Sequence, residues 1–169
     1  INIYIIKKML DNSLRMQIAC FIRYLKDFTD EIKTNYKTFA DDIEEFETVL
    51  NKLEDPKKIE DFEKLKKSRI HRYITRYMLT VQNYKEKITN NDEKLFIEKE
   101  ELYLIHKCDV NICELWKSTK LEQDKKSIWK YLNCIQMFGE TYNNTINIME
   151  KSEDKSDTEL EKISNEYLS

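Results

Sequence analysis

Glycine and proline are nearly absent from this chain, which contains one of each among its 169 residues. Average usage would give roughly 12 glycines and 8 prolines in a chain of this length. Folds rich in β-sheet need these residues in their turns, so their scarcity argues against strands joined by tight turns. The sequence therefore predicts an all-α protein, an antiparallel helical bundle with a long N-terminal coiled-coil-like helix or hairpin.

The composition is that of a folded domain with a heavily charged surface, since 40% of the residues are hydrophobic and 36% are charged. We predict one helical domain over residues 1–150, in which residues 14–54 form the long N-terminal helix or hairpin and residues 56–150 form the further helices. Residues 151–169 are mostly Glu, Lys, Asp and Ser. They are predicted to be a charged tail that can stay disordered, because it has little apolar surface to bury.

A stripe of apolar residues with heptad-like spacing runs from Leu14 to Leu53. Its members follow one another at steps of three or four: Leu14, Ile18, Phe21, Leu25, Phe28, Ile32, Tyr36, Phe39, Ile43, Phe46, Leu50 and Leu53. This spacing predicts an amphipathic helix with one apolar side. We favour a single long or kinked helix of about 60 Å. The alternative is a break between Asn35 and Asp42, with Thr38 or Asp41 capping a second helix.

The clearest helix boundary in the chain is Asp55-Pro56. Proline is excluded from helix interiors but is accepted at the first helical position after a capping residue. We therefore predict a helix that begins at Pro56, bends or breaks near Ser68, and ends at residues 90–92, which are Asn-Asn-Asp. A further helix is expected from about Glu93 to His106.

Two aromatic-bearing helices are predicted towards the C-terminus. Asp109 or Asn111 is expected to cap a short helix that contains Leu115 and Trp116. Residues 124–149 then form the helix onto which we expect the others to pack, with Asp124 as its N-cap. Its core residues are predicted to be Ile128, Trp129, Leu132 and Ile135.

Several classes of active site are excluded by the residues themselves. Phosphate-binding loops of the Walker and dinucleotide types need several glycines, and Gly139 is the only glycine in the chain. Carboxylate di-iron bundles need Glu three residues before His, whereas Ser68 precedes His71 and Tyr103 precedes His106 at that spacing. We therefore predict a protein that is not an enzyme and that carries no cofactor.

Four residues could form a zinc site, because one imidazole and three thiolates can supply a tetrahedral shell. They are His106, Cys108, Cys113 and Cys134. Close ligands in zinc sites usually stand two to four residues apart on turns, and free cysteine is often simply buried. The favoured interpretation is therefore no metal, with reduced and buried thiols, which is typical of an intracellular protein.

A basic run extends from Lys57 to Arg76. Its cations are Lys57, Lys58, Lys64, Lys66, Lys67, Arg69, Arg72 and Arg76. Eight cations minus three carboxylates gives a local charge of +5. Tyr73 and Tyr77 alternate with the cations, a pattern that suits phosphate contacts combined with base stacking. A nucleic-acid-binding module is therefore one hypothesis for the function.

The acidic segment from Thr38 to Asp55 offers another explanation of the basic run. Seven carboxylates minus one lysine gives this segment a charge of −6. Two successive helices of opposite charge would pair antiparallel across the turn at Pro56, with their charges flanking an apolar seam. We favour this intramolecular pairing over a nucleic-acid ligand.

One pattern resembles a known family. Leu115-Trp116, followed by residues 124–133 with the sequence DKKSIWKYLN, resembles a segment of uncharacterised helical proteins of the nucleocytoplasmic large DNA viruses. The resemblance covers these two stretches only, and Cys134 stands where that segment would carry a short polar or apolar residue. It implies a viral origin and carries over no catalytic or binding residue.

Taken together, these patterns predict a structural or protein-interaction protein that acts through helix-to-helix contacts. The partner would be another protein or a second copy, bound through the apolar face of residues 14–53, and the alternative is nucleic-acid binding by residues 57–76. No stretch approaches the ~20 apolar residues of a membrane span, and the opening INIYII is too short for a secretory signal. We expect an intracellular location, in the host cytoplasm or the virion if the protein is viral.

Overall fold

Helices are the regular secondary structure of the described part of the chain, residues 2–152 together with 162, 165 and 166 of a computed structural model. The α-helices are α1 (Ile3–Asn35), α2 (Ala40–Leu50), α3 (Phe62–Lys66), α4 (Arg69–Val81), α5 (Lys85–Thr89), α6 (Lys94–Ile97), α7 (Ile112–Ser118) and α8 (Glu122–Ser152). Single 3-10 turns lie at Lys37–Phe39, Pro56–Lys58 and Gln82–Tyr84. The predicted all-α fold is confirmed, and most of the predicted tail, residues 151–169, lies outside the described residues.

The two longest helices, α1 and α8, pack side by side along much of their length. Their contacts run in opposite directions along the two helices. Gln17 donates to Thr145 across 3.2 Å, the rings of Tyr24 and Phe138 stack at 5.6 Å, and those of Phe28 and Tyr131 stack at 5.1 Å. The pair is therefore antiparallel. Within the described residues, no helix combines the length and the apolar character that crossing a bilayer requires.

The prediction of one continuous helix through residues 14–53 is wrong, and the alternative break is found. The backbone of Tyr36 leaves the helical region, with φ −130° and ψ 83°, and α2 begins four residues later, at Ala40. Neither Thr38 nor Asp41 caps α2, because Phe39 occupies the N-cap position without a side-chain hydrogen bond. The break turns the chain so that Phe39 and the apolar side of α2 meet the same core as α1, and the Tyr36 hydroxyl is held 2.8 Å from Thr119 Oγ1.

The apolar stripe is covered by the domain itself. All its members are buried except Tyr36 and Leu53, and those two are partly buried against the core. The helices that cover it are chiefly α8, which lies along α1, and α4, whose Tyr77 ring meets Phe21 edge-on at 5.2 Å. The stripe therefore offers no exposed seam for a partner.

The segment after Pro56 forms several short elements. Asp55 accepts a hydrogen bond from the amide of Lys57, as expected of a cap, but only one 3-10 turn follows. Ser68 accepts from the amide of His71 and caps α4. The break predicted near Ser68 is therefore confirmed, and so is the predicted helix end at residues 90–92, where Asn91 adopts a left-handed conformation with φ 49°.

The predicted helix from Glu93 to His106 is wrong beyond Ile97. Leu102 and Leu104 are buried while Tyr103 between them is exposed, which is the alternation of an extended segment. Asn111 holds this segment, because its side chain accepts from the amide of Leu102 and donates to the carbonyl of Glu100, at 3.0 Å each. The same Asn111 oxygen accepts from the amide of Cys113 and caps α7, one of the two caps predicted for that helix.

The helix α8 begins at Glu122, so Asp124 lies in its first turn and is not its N-cap. The four predicted core residues of this helix are buried: Ile128, Trp129, Leu132 and Ile135. Trp129 belongs to a cluster of three rings with Phe96 and Trp116, whose centroids lie 4.6 to 5.4 Å apart. This cluster joins α6, α7 and α8.

Replacing Trp129 with Ala should destabilise the whole domain. A buried ring that contacts two other rings leaves a cavity on truncation, and such changes cost about 3–5 kcal/mol against a total stability of about 5–15 kcal/mol. Urea unfolding followed by circular dichroism measures the loss. Met137→Ala is the matched control, because Met137 lies on the same helix and is exposed. Equal unfolding midpoints for the two variants would contradict this account of the ring cluster.

Candidate anion-binding site

A concave pocket of about 300 Å³ lies between the end of α2, the first half of α4 and the turn at residues 106–107. Five cations line it, and we call this site the basic pocket. They are Lys52, Arg69, Arg72, Arg76 and Lys107. The remaining lining includes His106, Tyr73 and the apolar side chains of Val49 and Leu53. The cations come from three separate parts of the chain, so only the tertiary fold brings them together.

Helix α4 presents three arginines on one side. Arg69, Arg72 and Arg76 stand three and four residues apart, the spacing that places side chains above one another along a helix. The other side of α4 is apolar and buried, with Ile74 and Tyr77 in the core. Packing of that apolar side therefore fixes the direction in which the arginines point.

The N-terminus of α4 is held by two polar side chains. Ser68 Oγ accepts from the amide of His71 at 3.1 Å. The carboxylate of Glu54 accepts from the amides of Arg69 at 2.8 Å and Ile70 at 3.1 Å. These bonds satisfy amides that a helix start leaves without partners, and a negative charge is favourable at that end of the helix dipole. Glu54 thereby ties the segment that carries Lys52 to the start of α4.

The turn at His106 and Lys107 closes the other side of the pocket. The hydroxyl of Tyr73 donates to the carbonyl of His106 at 2.8 Å, and the two rings lie 5.4 Å apart. Lys107 has a φ of 62°, in the left-handed region, which is uncommon outside glycine and asparagine and persists where surrounding contacts impose it. The contact with Tyr73 thus sets this turn beside α4.

The cations of the basic pocket have carboxylates nearby but pair directly with none of them: Glu54 caps α4 beside Arg69, and Asp42, Glu45 and Asp109 line a neighbouring pocket that shares Lys107. Among the described residues, none of the five cations forms an ion pair, whereas other lysines do, as with Lys33 and Glu47 at 3.0 Å. Burial, followed by the charges of Lys107 and Arg76, lowers the pKa of His106. The Nε2 atom of His106 is buried and has no hydrogen-bond partner. Apart from the bond from Arg69 Nη1 to the Lys52 carbonyl at 3.4 Å, the side chains of the five cations donate to no group among the described residues, and such donors suit an anion.

The predicted basic run does not form one surface. Three of its eight members, Arg69, Arg72 and Arg76, line the basic pocket. The others, which do not line it, are Lys57, Lys58, Lys64, Lys66 and Lys67. Lys64 pairs with Glu60, Lys66 pairs with Glu63, and Lys57 lines a separate groove. The eight cations of residues 57–76 therefore do not line one common pocket.

The predicted stacking tyrosines are also placed differently. Tyr73 and Tyr77 are 4% and 1% exposed, because they lie on the core side of α4. Neither ring can stack on a nucleic-acid base in this position, so the stacking prediction is wrong. Tyr73 lies beside the arginines and lines the pocket from its inner side, whereas Tyr77 is turned further into the core.

The favoured charge pairing between residues 38–55 and 57–76 is also wrong in detail. Within the described residues, no ion pair joins side chains of the two segments. The acidic side of α2 instead faces α1, where Lys33 lies 3.0 Å from Glu47 and 3.8 Å from Glu44. What joins the two segments is the capping of α4 by Glu54 and the contact of the Phe46 and Tyr73 rings at 6.4 Å.

The candidate zinc ligands are not brought together. In the described part of the chain, the one group of three or more potential ligands within reach of one ion is Asp42, Glu45 and Asp109. Cys108 and Cys113 are buried, and burial raises the pKa of the Cys108 thiol to about 11. Cys134 lies on α8 and is not grouped with His106 as a potential ligand among the described residues.

Lys52 and Lys107 are the functional candidates that the sequence analysis did not identify. Lys52 stands alone in an acidic segment, and Lys107 lies inside the proposed zinc motif. Neither carries a local signal, since their role depends on where the fold places them. No family model, curated protein or solved structure matches this chain. The basic pocket is therefore interpreted from its own geometry.

Replacing Glu54 with Ala should destabilise the start of α4. Loss of a capping acceptor costs about 0.5–2 kcal/mol, and two amides lose their partner here. Glu60→Ala is the matched control, because Glu60 is an exposed carboxylate that precedes α3 and pairs with Lys64, and exposed ion pairs contribute about 0.2–1 kcal/mol. Urea unfolding compares the two variants. A loss for Glu54→Ala no larger than that for Glu60→Ala would contradict the capping role.

Proposed function

We propose that this chain is a non-enzymatic binding protein whose basic pocket holds a phosphate-bearing ligand. The observation that carries the proposal is the convergence of five cations on one concave site without a compensating ion pair among the described residues. Like charges that line one site repel one another, and a bound anion relieves that repulsion. The fold maintains this arrangement by capping and packing, as expected where binding is the function.

The chemistry of the pocket favours phosphate over a single carboxylate. Arginine presents a planar fork of donors that matches phosphate oxygens, and three of the five cations are arginines. A phosphate monoester carries about −1.5 to −2 charges near neutral pH, so phosphate groups neutralise a cluster of this size better than one carboxylate does. Binding is favoured over catalysis because the lining residues include no nucleophile beside a general base.

Nucleic acid is the alternative ligand that the basic run raises, and the pocket supports part of that hypothesis. Arg69, Arg72 and Arg76 can contact phosphate groups without reading bases. The burial of Tyr73 and Tyr77 removes the stacking half of the hypothesis. What the pocket supports is therefore recognition of phosphate itself.

A structural or protein-interaction role, in a virus or elsewhere, stays a prediction from the sequence. It was inferred from an apolar stripe that the domain covers, so a partner would need other surface. One groove of about 520 Å³ between α1 and the Pro56 turn is lined in part by Met16, Ile22 and Leu53. Sedimentation over a range of concentrations tests self-association, and a variant with Met16→Glu tests whether this groove takes part.

The proposed function predicts stabilisation by phosphate-bearing anions. Inorganic tripolyphosphate should raise the melting temperature above the value in sodium chloride of equal ionic strength, because a ligand that binds only the folded state stabilises it. The double variant Arg72→Glu and Arg76→Glu should lose this effect. The double variant Lys58→Glu and Lys67→Glu, which makes the same change of net charge outside the pocket, should keep it. An equal loss in both variants, or no stabilisation of the wild type by tripolyphosphate or by a short oligonucleotide, would contradict the proposal.

A further inference from the structure

We infer that the ligand of the basic pocket is a compact molecule with two or more linked phosphate groups, such as a nucleoside triphosphate or an inorganic polyphosphate, and not a strand of nucleic acid. This inference rests on the proposed function and specifies its ligand. It follows from the arrangement of the five cations, from the charge of the surface around them, and from the position of the nearby aromatic rings.

The five cations line one pocket from three segments of the chain. Arg69 and Arg76 are separated by about 10 Å along α4, at 1.5 Å per residue. Lys52 and Lys107 approach from two other segments, so the cations enclose a volume of about 300 Å³. That volume is at the small end of the range for small-molecule sites, which is about 300–1,000 Å³. Two or three linked phosphate groups would match five positive charges within this space.

The surface beyond Lys107 is acidic. A neighbouring pocket shares Val49 and Lys107 with the basic pocket and is lined by Asp42, Glu45 and Asp109. Carboxylate oxygens of these three residues lie within 4.8 Å of one another. A nucleic-acid strand needs positive charge along its backbone, and this surface would repel it. A compact anion that ends within the basic pocket does not meet these carboxylates.

The exposed aromatic ring on that side is surrounded by carboxylates. Tyr103 is 45% exposed, and the charge of Glu101 is the main cause that raises its pKa. Smaller contributions come from partial desolvation and from Glu114, Asp109 and Asp42. A stacking platform for a polyanionic strand would need cations around it. Neither Tyr103 nor the buried Tyr73 and Tyr77 can serve in that way.

Basic residues on the opposite side do not extend the pocket either. Along α3, Lys64 and Lys66 are paired with Glu60 and Glu63. At the start of α4, the Glu54 carboxylate accepts from two backbone amides, so this end of the pocket is bordered by an acidic side chain. Lys57, Lys58 and Lys67 are exposed and lie outside the pocket. The pocket is where five cations converge, which favours a short ligand of high charge density.

Isothermal titration calorimetry on the full chain tests the inference with four probes at constant ionic strength. They are inorganic phosphate, inorganic tripolyphosphate, a nucleoside triphosphate and a short single-stranded oligonucleotide. We expect saturable binding of tripolyphosphate and of the nucleoside triphosphate at a single site, with much weaker binding of inorganic phosphate. Equal affinity of the two triphosphates would show that the phosphate chain alone is recognised. Tighter binding of the nucleotide would show that its sugar or base also contacts the lining of the pocket.

Three variants distinguish binding in the pocket from general charge attraction. Arg72→Gln should weaken tripolyphosphate binding roughly ten- to a hundredfold, the usual effect of losing a charged hydrogen bond. Lys67→Gln, which removes one charge outside the pocket, should leave the affinity unchanged. Arg72→Lys should recover part of the loss, because it restores the charge without the fork of donors. Circular dichroism establishes that each variant is folded before it is titrated.

The outcomes separate this inference from the proposed function. If the oligonucleotide binds in the pocket and tripolyphosphate does not displace it, the site recognises a strand, so the proposed function stands and the inference falls. If no probe binds, both fall. Equal weakening by Arg72→Gln and Lys67→Gln would show attraction by net charge only and would also overturn the inference.

Discussion

The antiparallel contact between α1 and α8 is the interaction on which the rest of the structure depends. Each of these helices carries an apolar stripe that would be exposed if it stood alone, and each stripe is buried mainly by the other helix and by the elements that pack beside the pair. The rings of Tyr24 and Phe28 stack on α8, while Phe21 on the same helix meets Tyr77 of α4. The position of α4, and with it the direction of its arginines, follows from this packing.

The cations of the basic pocket are placed by contacts that do not pair with their side chains. The carboxylate of Glu54 bonds to the backbone of α4, and the Tyr73 hydroxyl holds the turn that carries Lys107. Neither contact neutralises a cation. Groups placed on a packed helix and a fixed turn are held in position before a ligand arrives, which reduces the entropy that binding must remove. Anion binding is the process that this arrangement makes favourable.

Much of the fold could be predicted from the sequence because its signals are local. The scarcity of glycine and proline indicates helices, Ser68 and Asn111 mark the starts of α4 and α7, and Trp129 marks the core side of α8. The break at Tyr36 could not be predicted with the same certainty, since apolar residues keep steps of three and four across it. The extended segment near Leu102 was missed because Asn111, which holds it, lies nine residues further along the chain.

The site was harder to predict for a different reason. The arginines of α4 were recognised as a charged run, but Lys52 and Lys107 carry no local pattern that would group them with it. Their convergence arises from the cap at Glu54 and the turn at His106, and both are tertiary contacts. The alternation of Tyr73 and Tyr77 with cations suggested base stacking. That interpretation failed because the sequence does not show which side of a helix faces the core unless the rest of the fold is known.

Proton NMR titration of the two histidine rings, with and without tripolyphosphate, tests the central claim most directly. Burial and the nearby Lys107 and Arg76 lower the pKa of His106 in the free protein. A bound polyphosphate would bring negative charge beside these cations and favour the protonated ring, so the pKa of His106 should rise. His71 is an internal control, because its pKa is also lowered by burial but its Nδ1 lies 2.6 Å from the Tyr142 hydroxyl and it does not line the pocket. A rise for His106 alone is the predicted result, and an unchanged His106 or an equal shift of both histidines would contradict the account.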